Sequence, residues 1–117
     1  MDDHSLAWDY FGITMRLTEE TKNIIIESIC EFFSQMEKII LFGSRVDDNK
    51  RGSNIDILIQ TPLSSAEAFE KKLWTLAVLQ LKLGEQRIDI LTTSGADDER
   101  LIVQNAYRQG VVLWTTK

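Results

Sequence analysis

Cysteine and histidine are almost missing from this sequence. Its one cysteine, Cys30, cannot close a disulfide within the chain; in IIIESICEFF it reads as a small buried thiol, which fits a reducing cytoplasm. Its one histidine, His4, has nothing nearby to complete a zinc set and reads as a solvated terminal side chain. No apolar run exceeds a handful of residues, which excludes a spanning helix and with it a membrane role. The start, MDDHSLAWDY, lacks the basic and apolar regions of a secretory signal. Positive charge is also short: 13 lysines and arginines against 18 acids leave a net charge of −5, which argues against tight binding to a long nucleic-acid backbone. A single nucleotide is compatible with that balance, because a metal ion and backbone N–H groups meet its phosphates locally.

What remains is an ordinary globular composition. With 44% apolar and 26% charged residues, the 117-residue chain suits one domain with one core. Residues 1–16 mix acids, Trp8, Tyr10 and Phe11 without a clear period and read as an N-terminal arm, leaving 17–117 as the domain. From Thr18, a good N-cap, TEETKNIIIESICEFFSQ carries acids in its first turn and apolar residues at Ile25, Ile26, Ile29, Phe32 and Phe33, which predicts an amphipathic helix. KIILF predicts a buried strand stopped by Gly43-Ser44; 45–53 is a polar loop; IDILIQT is a second strand ended by Pro62.

Ser64 with Glu67 forms a capping box opening a helix that runs to Gly84. QRIDILTT is a third strand, a last helix runs from Asp97 to about Gln109 with Asp97, Asp98 and Glu99 as its favourable N-terminal charges, and VVLW closes the chain. Helix, strand, strand, helix, strand, helix, strand predicts an α/β or α+β fold, a sheet of about four strands layered with helices. In the middle helix Phe69, Leu73, Leu76, Ala77 and Leu83 read as the core stripe, with Trp74, Val78 and Leu81 in a second row. An arc this wide fits burial on two sides, the second cover being a protein partner or the arm.

Two aspartates interrupt the apolar strands. Alternation puts Asn54, Asp56 and Leu58 on one face and Ile55, Ile57 and Ile59 on the other, and the same rule sets Asp89 opposite Ile88 and Ile90. If the strands are neighbours, two carboxylates meet, and like charges that close repel unless a cation lies between them. Hard oxygen ligands, few and on rigid strands, suit Mg²⁺ with nucleotide phosphates completing its shell. Gly43-Ser44, ending a strand, offers backbone N–H groups and a hydroxyl to a phosphate.

The segment 41-LFGSRVDDNKRGSNIDILI-59, with its apolar strand, Gly-Ser, loop and Asp-x-Asp-like pair, resembles the polymerase-β-like nucleotidyltransferase superfamily, and Asp89 stands where that pattern has its third carboxylate. The order of elements from about residue 20 to 114 is similar to the minimal nucleotidyltransferase (MNT) domain. The resemblance implies that Gly43 and Ser44, with Arg45 beside them, hold the phosphates of ATP or another nucleotide. It implies that positions 54, 56 and 89 bind Mg²⁺, and that Asp56 and Asp89 are catalytic, Asp89 helping to deprotonate an acceptor hydroxyl. Two ions about 3.5–4 Å apart stabilise both the entering and leaving oxygens of such a displacement.

The pattern is broken at its first carboxylate, which here is Asn54. A unit charge pair at about 4 Å in an effective dielectric of about 20 is worth roughly 4 kcal/mol. Lost only in the transition state, that is about three decades in rate.

Three functions follow. One is a metal-dependent transferase moving AMP onto a hydroxyl of a partner protein; the resemblance implies a small helical HEPN-type partner in a toxin–antitoxin pair. A second is the same fold acting by contact alone, which Asn54 and the wide apolar arc favour. The third is a structural domain with surface aspartates. Self-association is open under each.

Overall fold

The computed structural model describes residues 17–42, 54–84 and 87–116. The first helix, α1 (Glu19–Phe32), opens where the sequence places its cap: Thr18 Oγ1 accepts from the Thr21 backbone N–H at 3.0 Å, and Glu19 and Glu20 occupy the first turn. Strands β1 (Lys38–Phe42) and β2 (Asn54–Gln60) follow. Helix α2 (Ser65–Leu83) begins at Ser64, whose Oγ accepts from the Glu67 N–H at 3.2 Å, and stops at Gly84, which takes φ 79°. Strand β3 (Arg87–Thr93), helix α3 (Leu101–Gln109) and strand β4 (Val111–Thr115) complete the order. The arm, residues 1–16, lies outside the described residues, as does the 43–53 loop.

The sheet runs β3-β2-β1-β4, with β1 antiparallel to β2 and β4, and β3 parallel to β2 through the α2 crossover. Its two faces bury different partners. Ile39 and Leu41 of β1, Ile55, Ile57 and Ile59 of β2, and Ile88 and Ile90 of β3 pack under α1 and α2 with Ile25, Ile29, Ala68 and Leu79. On the opposite face Ile40 and Leu58 pack against Val103 and Ala106 of α3. The central strands are therefore apolar on both sides, which is why KIILF and IDILI read as continuous runs.

Three expectations change. Phe69, Leu73 and Ala77 are exposed, and α2 instead buries Ala68, Thr75 and Leu79 with Leu76 and Leu83 alongside. The buried stripe passes through a small and a polar residue, so large apolar side chains mark the wrong face. In the second row Trp74 and Leu81 are open and Val78 is half-buried; the arm and the partner expected to cover it lie outside the described residues. Cys30 is exposed: it follows buried Ile29 by one residue, about 100° around the helix. Burial of its neighbourhood, with Glu27 close by, pushes the Cys30 thiol pKa upward.

The last helix starts at Leu101, not Asp97. Asp98 accepts from Thr93 Oγ1 at 2.8 Å, from the Arg100 backbone N–H at 3.1 Å and from Arg100 Nη2 at 2.7 Å, so its carboxylate fixes a loop before the helix instead of capping it.

Candidate active site

The sheet register arranges one face in rows. Across β1, β2 and β3 one row is Ile40, Leu58 and Leu91; the next, toward the start of β2, is Phe42, Asp56 and Asp89; the last pairs Asn54 with Arg87. Alternation keeps Ile40, Phe42, Asp56, Leu58, Arg87, Asp89 and Leu91 on the α3 side of the sheet, since their neighbours Ile55, Ile57, Ile88 and Ile90 belong to the core under α1 and α2. Helix α3 seals the row of Ile40 and Leu58. One row further the surface turns acidic: Asp56 is half-buried on an inner strand and Asp89 exposed on the outer one.

Asp56 and Asp89 are register partners in a parallel pair, so their strands run about 4.8 Å apart at that level. Two carboxylates so placed repel unless positive charge intervenes, and rigid strands prevent them from simply moving apart. Their oxygens are hard donors on one face of the sheet, a fit for a divalent cation that keeps water or phosphate among its ligands. Among the described residues no cluster of three or more His, Cys, Asp or Glu forms, so these two carboxylates are the acidic donors that the described fold brings together here.

Asn54 is one pleat beyond Asp56 on β2, at the level of Arg87; its side chain lies outside the described part. Gly43, Ser44 and Arg45 also lie outside the described residues. Phe42, which precedes them in the chain, pairs with Asp56. Arg87 is a residue that the sequence reading does not single out. It shares a face with Asp89 at two-residue spacing and stands beside Asn54, and the short phrase Arg-Ile-Asp is the signal that carries it.

On the same face, Tyr107 Oη donates to Gln60 Oε1 at 2.5 Å, and Gln60 Nε2 donates to Glu37 Oε1 at 2.7 Å. Burial, with the charges of Glu37 and Asp98, pushes the Tyr107 pKa upward, so the phenol stays a donor. This chain of hydrogen bonds ties α3 to the sheet two rows from the aspartates and supplies nothing to them.

A mixed sheet of four strands with two helices on one face and one on the other, carrying paired aspartates at the start of its two parallel strands, defines the class of protein: an α/β nucleotidyltransferase fold. The chain belongs to the family described as Polymerase beta, Nucleotidyltransferase, whose pattern it matches over residues 25–117. No curated protein sequence matches significantly. Solved structures do. The chain is similar to one in the crystal structure of the toxin–antitoxin pair MntA–HepT, with a TM-score of 0.58 and 20% identity over 85% of this chain and 74% of that one. It is similar to a chain in a complex of the tri-AMPylated Shewanella oneidensis HEPN toxin with its MNT antitoxin, at TM-score 0.59 and 23% identity over 84% and 72%. A third similar chain comes from a toxin–antitoxin structure with AMP-PNP, at TM-score 0.58 and 23% identity over 82% and 74%. At these identities the likeness is one of fold.

Proposed function

We propose that this protein is an MNT-type antitoxin that transfers AMP from ATP to a hydroxyl of a small helical HEPN-type partner, slowly because Asn54 replaces a carboxylate. The observation that carries the reading is the register match of Asp56 with Asp89 in a member of the nucleotidyltransferase family. The AMPylated toxin and the AMP-PNP of similar solved structures support it. Cytoplasmic localisation belongs to the same proposal; no helix among the described residues is long and apolar enough to cross a membrane.

In this reading Asp56 and Asp89 would hold Mg²⁺, with the amide oxygen of Asn54 as a neutral third donor. The ion would supply the positive charge that the phosphates and two carboxylates require. The acceptor oxygen bonds to the α-phosphorus, the bond to pyrophosphate breaks, and the hydroxyl proton passes to the Asp89 carboxylate. Gly43, Ser44 and Arg45 would hold the departing phosphates, and Arg87 would meet phosphate charge beside Asn54.

A second reading, inhibition of the partner by contact without transfer, is favoured by the lost charge at position 54. One experiment separates them. The chain, its co-purifying partner, labelled ATP and Mg²⁺ are incubated together, comparing the native sequence with Asn54→Asp and Asp56→Ala. Transfer by the native chain, raised by up to about a thousandfold in Asn54→Asp and abolished in Asp56→Ala, supports the enzyme. No transfer even in Asn54→Asp, with partner inhibition intact in all three, overturns it in favour of contact alone.

A further inference from the structure

At the start of the two parallel strands, charge of opposite sign occupies successive levels of the sheet. Asp56 and Asp89 share one level, and the next sets position 54, an asparagine, against Arg87. Arg87 and Asp89 lie two residues apart on the same side of β3, with about 6.6 Å between their Cα atoms. Arg100 and Arg108 are engaged by Asp98 and Asn105, whereas the Arg87 side chain is exposed and makes no hydrogen bond or ion pair among the described residues.

This arrangement limits how many metal ions the face can hold. Two divalent ions about 3.5–4 Å apart repel each other four times as strongly as two unit charges at that distance, so a pair persists only where several anions surround it. Phosphate oxygens supply part of that charge and the protein must supply the rest. The carboxylates of Asp56 and Asp89 balance one divalent ion. Relative to a site with aspartate at position 54 and a neutral residue at 87, one negative charge is lost and one positive charge is added, since arginine stays charged at every working pH. The difference, two units, is the charge of one divalent ion.

We propose that this chain binds its nucleotide with a single divalent ion, held by Asp56 and Asp89, and that the Arg87 guanidinium takes the place of a second ion beside the phosphates. The inference rests on the reading of this face as a nucleotide site, and goes beyond it in fixing the metal count and naming the group that replaces the missing ion. A guanidinium suits the exchange: its forked N–H donors meet two phosphate oxygens at once, and it needs no carboxylate of its own to hold it there. No described side chain competes for it.

The test counts ions on the full chain. Mn²⁺ is titrated into each protein with an equimolar amount of AMP-PNP, a non-hydrolysable ATP analogue; bound Mn²⁺ is followed by electron paramagnetic resonance and nucleotide affinity by calorimetry. The native complex is expected to hold one Mn²⁺ with the spectrum of an isolated ion. The double variant Asn54→Asp/Arg87→Ala is expected to hold two, their signals broadened by magnetic coupling at about 3.5–4 Å. Asn54→Asp alone should take up the second ion more weakly than the double variant, since Arg87 still opposes it. Arg87→Ala alone should keep one ion and bind AMP-PNP about tenfold more weakly, with Arg87→Lys recovering part of the loss. Two coupled ions in the native complex, or only one in the double variant, overturn the proposal and leave the transferase reading standing. A native chain that binds neither Mn²⁺ nor AMP-PNP overturns both. One that holds a single ion yet transfers no AMP upholds the metal count while the transferase reading fails.

Discussion

At the scale of single residues, the chemistry of the site turns on charge balance. Asp56 and Asp89 contribute two negative charges at adjacent register positions, and Asn54, one pleat away, contributes none. Arg87 stands at the register level of Asn54, the position where the family pattern has a carboxylate. If Arg87 meets phosphate, Arg87→Ala should weaken ATP·Mg²⁺ binding by about tenfold, roughly 1.4 kcal/mol. Calorimetric titration checks this, and Arg87→Lys should recover only part of it, since a lysine cannot form a two-pronged contact. Unchanged affinity in Arg87→Ala would remove the residue from the site. The aspartates were legible from alternation alone. Arg87 was not, because a lone arginine at a strand start ordinarily reads as solvated, and its relation to Asn54 exists only through strand pairing.

At the scale of elements, two junctions hold α3 against the sheet. Gly110 joins α3 to β4 so closely over β1 that a methyl group there would collide with Ile40 Cγ2 and the backbone oxygens of Ala106 and Leu41. Backbone atoms cannot rotate away as side chains do. Gly110→Ala should therefore cost about 1–3 kcal/mol, read as a lower midpoint in urea unfolding. The sequence marks Gly110 as a helix stop but says nothing of this close approach.

At the other end of α3, Asp98 is held by Arg100 and Thr93, and those hydrogen bonds pull its carboxyl pKa well below the usual carboxylate range. A depressed pKa gives stability that is present above the unfolded value of about 3.9 and is lost as pH falls toward the folded one. Asp98→Asn should thus be less stable than the native chain at pH 7, with the gap narrowing below about pH 4. Equal unfolding midpoints at neutral pH would show that the loop does not depend on the charge. The same contacts explain why the helix begins at Leu101: three consecutive acids look like helix N-terminal charges, yet the middle one is committed to the preceding strand.

For the whole molecule, the distribution of apolar surface matters more than its amount. The two clusters on either side of the sheet account for the central strands, while α2 is apolar around most of its circumference and buries only one side. Net charge sets the other global property. At −5 the balance argues against tight binding to a long nucleic-acid backbone, while a chelated nucleotide needs no basic stripe. Fluorescence polarisation should therefore detect a labelled ATP analogue with Mg²⁺ and no saturable binding of a labelled duplex. Duplex binding that weakens steeply with salt would contradict this.

The sequence by itself determined the order and type of the elements, the caps at Thr18, Ser64 and Gly84, and the face of each strand that carries an aspartate. All of these depend on local periods and on backbone groups a few residues apart. Only the tertiary structure decided that Asp56 lies level with Asp89, because parallel register is set by how the α2 crossover packs; a slip of one residue would turn one carboxylate into the core. Only the tertiary structure decided which side of α2 is buried. A helix apolar on most sides can pack by any of them, and the choice fell to the side whose small Ala68 and Thr75 let it lie close to the sheet and to α1.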